Sequence, residues 1–135
     1  MLDAFLISEK TVVTAKGDSD PLDVSAAVNR VFLLTLSIDE IVEQESIEIT
    51  VFTSADGTTW EAKPIATLMQ KFYVGEYPLL VDLSATTNLK FVRAHWDVNR
   101  WGRGSTSPRF VCSLRIREVP QEALQEARAE ANTRR

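Results

Sequence analysis

His95 is the chain's only histidine and Cys112 its only cysteine. A serine or cysteine nucleophile needs a base within hydrogen-bond reach, and a single histidine could serve one such pair. The alternation around these residues points Cys112 inward and His95 outward, so that pair does not assemble. One cysteine leaves no partner for a disulfide within these residues and no cysteine-based zinc cluster. Asp18-x-Asp20-x-x-Asp23 places hard oxygen ligands close together. It lacks the glycine and the bidentate glutamate of a calcium-binding EF-hand loop, and it reads as a solvated acidic turn. Neither a phosphate loop nor a dinucleotide glycine fingerprint occurs. The residues imply no metal and no cofactor, and they argue against an enzyme.

The most site-like stretch by composition is RAHWDVNRWGRGSTSPR. Arg93, Arg100, Arg103 and Arg109 surround Trp101, with His95 adjacent. Guanidinium and indole faces stack on sugars or nucleobases, and cations attract phosphate. The competing reading is a long hairpin loop in which Trp101 caps the fold and the arginines are solvated or paired with acids. The acidic overall balance argues against nucleic acid. A partner protein or a glycan suits this loop better.

TSADGTTW, from Thr53 to Trp60, poses the opposite problem. Asp56-Gly57 supplies the positive φ angles that a tight type I′ hairpin turn needs. Trp60 can then fold onto the sheet and bury a large ring. This reading makes Asp56, Gly57 and Trp60 structural and requires no ligand.

The elements that must carry these residues alternate with period two almost throughout. Strands are expected over Leu2–Ser8 with Thr11–Ala15, Arg30–Ile38, Ile47–Ser54, Thr59–Lys63, Gln70–Val74, Tyr77–Leu83, Leu89–Val98 and Arg109–Val119. KGDSD (Lys16–Asp20), DEIVEQE (Asp39–Glu45) and Gly75-Glu76 read as connections. Pro21–Ser25 reads as a short edge piece because of its proline. Phe32, Leu34, Leu36 and Ile38 share one face, as do Ile47, Ile49 and Val51. Val92, Ala94, Trp96 and Val98 share another, with Arg93, His95 and Asp97 opposite. Phe110, Cys112, Leu114 and Ile116 point inward, leaving Ser113, Arg115 and Arg117 outside. About eight short strands with turn signals between them argue for an all-β, antiparallel, jelly-roll-like sandwich over residues 1–119. Residues 120–135, PQEALQEARAEANTRR, read as a short C-terminal helix. Its apolar stripe of Ala123, Leu124, Ala127 and Ala131 is too thin to hold a helix alone. A frayed tail, a docked helix and a partner-binding element stay open.

The 135 residues are 44% apolar and 25% charged, enough for one domain with one core. The net charge of −4 is uneven, because residues 1–60 carry 11 acids against Lys10, Lys16 and Arg30. If the halves occupied separate surfaces, head-to-tail self-association would follow. If they interleave in the sheets, the charges mix. MLDAFLISEK has no basic segment and no long apolar run, so no signal peptide is expected. No stretch is long and apolar enough for a membrane span. A cytoplasmic or virion-associated location fits.

Ser54, Asp56, Gly57, Trp60, Val92, Arg93, Glu118 and Val119 match a pattern over about residues 47–119. It resembles the second half of discoidin-type, galactose-binding-like jelly rolls. In that group the Asp-Gly turn and the tryptophan are architectural, and loops at the other end hold the ligand. The first half lacks the group's tryptophan-bearing strand. In length and layout the chain is closer to short β-sandwich structural proteins of tailed phages. Its Gly17–Ser25 opening, Val31–Leu36 strand, Ser54–Trp60 hairpin and Gly104–Phe110 segment carry that likeness. The resemblance implies a non-catalytic structural or adaptor protein, oligomeric or bound to other proteins of an assembly. The alternative it leaves is a carbohydrate-binding module using Arg93, His95, Arg100 and Trp101.

Overall fold

Alternating apolar residues build the strands, and those strands form two antiparallel sheets whose apolar faces meet. The structure is a computed structural model that describes residues 2–41, 45–100, 108–120 and 122–123. The first sheet has the order β1 (Asp3–Val13), β9 (Phe110–Glu118), β4 (Val31–Ile41) and β7 (Gly75–Asp82). The second has the order β2 (Gly17–Asp18), β8 (Phe91–Arg100), β5 (Glu45–Ser54) and β6 (Ala66–Lys71). The short β3 (Leu22–Asp23) also pairs with β8.

The pairing follows one rule. β1 pairs β9, β2 and β3 pair β8, β4 pairs β7, and β5 pairs β6. This is a long antiparallel ribbon, folded at the β5–β6 connection. Rolling it up adds the pairs β4–β9 and β5–β8. That wrapping is the jelly-roll order. Each sheet alternates strands from the two halves of the chain. The acidic and basic halves therefore interleave, and their charge difference does not map onto separate surfaces.

Phe32, Leu34, Leu36 and Ile38 from β4 and Phe110, Cys112, Leu114 and Ile116 from β9 are buried in one core. They meet Ile47, Ile49, Val51, Val92 and Ala94 from the other sheet. Each Val, Leu, Ile or Phe among them contributes about 1.5–3 kcal/mol by leaving water.

Several local expectations are corrected. Gly17–Asp18 is a short strand rather than part of a free turn, because β8 offers it a partner edge. Asp39–Ile41 extends β4, and Glu45 already belongs to β5. Gly75 and Glu76 lie within β7, opposite Ile38 and Ser37. The chain turns before them and crosses from one sheet to the other, so β6 and β7 form no hairpin. Ser113 is buried although it faces outward. Glu122 and Ala123 are helical, Pro120 is not, and the other residues of the expected C-terminal helix lie outside the described residues. Among the described residues, no helix is long and apolar enough to cross a membrane.

The Asp-Gly loop is also not a type I′ turn. Gly57 has φ +83°, whereas Asp56 is not at positive φ, and β5 meets the returning chain only at the Ser54–Trp60 bridge. Two side chains fold this loop instead. The buried Ser54 hydroxyl accepts from the Asp56 and Gly57 amides at 3.2 and 2.9 Å. Asp56 Oδ1 accepts from the Thr58 and Thr59 amides at 2.9 and 2.8 Å. Side-chain oxygens stand in for the backbone hydrogen bonds of a tight turn. The Thr59 and Thr58 amides and the Ser54 hydroxyl hold the Asp56 carboxyl far below the usual carboxylate range. No residues between Glu61 and Ile65 form a strand. Gly57→Val is expected to cost about 2–3 kcal/mol, because a β-branched side chain is strained at this φ. Its Cβ would also rest 3.4 Å from the Phe91 ring. A thermal melt indistinguishable from wild type would show that the loop does not depend on this backbone conformation.

Candidate functional site

The outward face of β8 carries Arg93, His95 and Asp97, as strict alternation requires. Register sets Asp18 of β2 opposite His95 on one side and Thr50 of β5 on the other. His95 Nδ1 lies 2.8 Å from Asp18 Oδ1, and Nε2 lies 3.2 Å from Asp97 Oδ2. Only an imidazolium can donate to both carboxylates, since a neutral ring carries one N–H.

The residues flanking β2 are held by the same strand. Trp96 Nε1 donates to the Ala15 carbonyl at 3.1 Å. Ser19 exchanges two bonds with Ala94, through its amide at 2.8 Å and its hydroxyl at 2.9 Å. A Cβ at Gly17 would stand 3.0 Å from the Trp96 ring, so any larger residue there would press on the indole where β2 crosses it. His95 thus clasps a short edge strand. The Thr50 hydroxyl donates to the His95 carbonyl rather than facing its ring. Cys112 is fully buried in the opposite sheet, and burial, with Asp39 nearby, raises its thiol pKa to about 11. Neither group forms a nucleophile–base pair with His95.

Asp18 turns to His95, while Asp23 accepts from the Ser25 amide at 2.8 Å, so these two acids face different partners. Among the described residues, no three His, Cys, Asp or Glu side chains gather into a metal-sized cluster.

The arginine cluster that looks continuous in sequence divides in space. The Arg93 guanidinium stacks 4.4 Å from the centre of the Trp60 ring, and its Nε faces Asp18 at 3.9 Å. Trp60 is half-buried and lies outside the core cluster, so its ring is a platform for a cation rather than a core residue. Arg100, at the far end of β8, pairs in register with Glu45. The Arg109 amide donates to Glu45 Oε1 at 2.8 Å, which draws the start of β9 to that same buried acid. Arg93 and Arg100 are seven residues apart on one strand, about 23 Å at strand rise. Trp101 and Arg103 lie outside the described residues.

No protein-family model matches the sequence, and no curated protein matches it.

Proposed function

We propose that this protein is a non-catalytic assembly module, a structural or adaptor component of a phage-like particle, and that it associates with a second copy of itself. The observation that carries this reading is the side of the sandwich bounded by β6 and β7. Met69, Phe72, Tyr73 and Val74 are exposed there, at 66%, 42%, 75% and 58%. Four large apolar side chains within six residues are costly to leave in water and mark a contact surface. The Phe72 and Tyr73 rings pack against each other, with centroids 6.5 Å apart. The Tyr77 hydroxyl fixes the connection by donating to the Tyr73 carbonyl at 2.6 Å.

The two sides of the sandwich differ in how their edges are protected. On one side, β2 and β3 have two residues each, and β1 is interrupted by a register shift between Ile7 and Thr11. Short strands and bulges discourage edge pairing. On the other side, β6 is shifted in register only between Leu68 and Lys71, and β7 ends the facing sheet as an eight-residue strand paired to β4 without a shift, beside the apolar connection. An antiparallel edge is self-complementary about a twofold axis, which favours a second copy as the partner. The phage-like layout of the sequence motifs supports the same role.

Light scattering on the purified protein is expected to give a defined oligomer. The double variant Phe72→Ser, Tyr73→Ser is expected to shift it to monomer, with its melting transition retained. A wild-type protein that is monomeric at high concentration would sink this reading.

A further inference from the structure

A trough of about 410 Å³ lies on the outer face of the β1-β9-β4-β7 sheet. Its shape follows from side-chain size along the register. Ser37 pairs with Ser113, and Thr35 pairs with Arg115. Three short hydroxyl residues therefore form a floor in mid-sheet. Arg115 is opposite Phe5 on β1, so the next positions outward are tall.

β1 raises one wall further. Its ladder is broken between Ile7 and Thr11, Lys10 sits at φ 56°, and the Thr11 hydroxyl donates to the Ser8 carbonyl at 2.6 Å. The intervening Glu9 and Lys10 line the trough beside Ser113, which is only 8% exposed. A bulge of this kind re-aims side chains.

The lining chemistry narrows the ligand. Carboxylates from Glu9, Asp39 and Glu76 are matched in number by cations from Lys10, Arg115 and Arg117. Asp3 also holds Arg115, through Nε at 2.8 Å and a second contact at Nη2. The trough thus has no surplus of positive charge for a phosphate or a sulfated chain. It offers acceptors, donors and hydroxyls within one concavity, plus the face of Phe5, which is 40% exposed. Its volume is that of a small-ligand pocket. Paired acceptors and donors match the adjacent hydroxyls of a sugar. An aromatic face matches its apolar C–H surface.

We infer that this trough binds a neutral oligosaccharide. Phe5 covers a ring face, and the floor hydroxyls with Asp39 and Arg117 take the sugar hydroxyls. The inference is independent of the assembly reading, because Met69, Phe72, Tyr73 and Val74 do not line the trough.

The test is binding of the full chain to an array of neutral gluco-, galacto-, manno- and N-acetylglucosamine oligosaccharides, with sulfated and sialylated chains alongside. At least one neutral class is expected to be retained. Phe5→Ala, Asp39→Asn and the trough-filling Ser37→Leu are each expected to weaken it about tenfold or more. Melting temperatures identify any variant that fails to fold, and the remaining variants then decide. The Phe72→Ser, Tyr73→Ser protein should bind as wild type does. Three results would overturn the inference: retention of charged chains alone, retention of nothing, or binding lost in Trp101→Ala but kept in the trough variants.

Discussion

Glu118→Ala is expected to cost about 3–5 kcal/mol and to lower the melting temperature by about 10–20 °C. Glu118 ends β9 and is 5% exposed. Its Oε1 accepts from the Leu2 amide at 3.3 Å, and its Oε2 accepts from the Val28 and Asn29 amides, both at 3.1 Å. One carboxylate thereby ties the start of the chain and the β3–β4 connection to the last strand. Alanine would leave three backbone donors without an acceptor, at about 1–3 kcal/mol each before water relieves part of the loss.

The same contacts predict a pH dependence. Burial pushes the Glu118 pKa up, but the Asn29, Leu2 and Val28 amides pull it down further, so it ends below the ordinary glutamate value. A carboxyl with a depressed folded-state pKa contributes its stability above the unfolded-state pKa of about 4.3. That contribution is lost as pH falls from there through the folded-state value. The stability gap between wild type and Glu118→Gln should therefore be full at neutral pH and close in acid. Denaturant titrations at several pH values measure it. A gap that stays constant down to strongly acidic pH, or an alanine variant melting within a degree or two of wild type, would refute the role.

Glu118 was legible only as half of a terminal Glu-Val pair, because its donors lie about 90 or more residues away in sequence. The faces of β4, β5, β8 and β9 were legible because alternation is a local property, and the burial of Phe32, Ile49, Val92 and Leu114 follows it. Pairing is not local. Nothing near His95 announces Asp18, 77 residues distant. The linear closeness of Arg93 and Arg100 also misleads, since a strand carries residues seven apart to opposite ends of a sheet. At the Asp-Gly loop the residue types were right and the turn was wrong. Ser54 and Asp56 compete for the backbone amides and open a wider loop than the dipeptide alone would form. The trough was invisible for a related reason. Four strands each contribute one to three of its residues, and no window of sequence holds them together.

Arg30 carries the second large expectation. In the sequence it reads as the first residue of a strand, but it precedes β4 at φ 57° and reaches across to the β7–β8 connection. Its Nε donates to the Leu83 carbonyl at 3.2 Å, and its Nη2 donates to Thr86 O at 3.0 Å and to Leu89 O. The Leu83 amide returns a bond to the Arg30 carbonyl at 2.8 Å. One planar fork thus closes a loop whose own backbone–backbone bonds are Thr86 to Leu83 and Leu89 to Thr86, with Ser84 held by Asp82 at its start. Arg30→Ala is expected to cost about 2–4 kcal/mol, since hydrogen bonds from a charged donor contribute about 1.5–3 kcal/mol each and water recovers part. Arg30→Lys should rescue little, because an ammonium cannot present the guanidinium's divergent Nε and Nη2 donors. Arg30→Gly loses the same bonds but relaxes the left-handed backbone, so it should be about 1 kcal/mol more stable than the alanine variant. Urea denaturation ranks the three variants, and amide exchange at Thr86 and Leu89 reports the loop itself. A lysine variant as stable as wild type, with both amides still protected, would show that charge rather than the fork closes the loop.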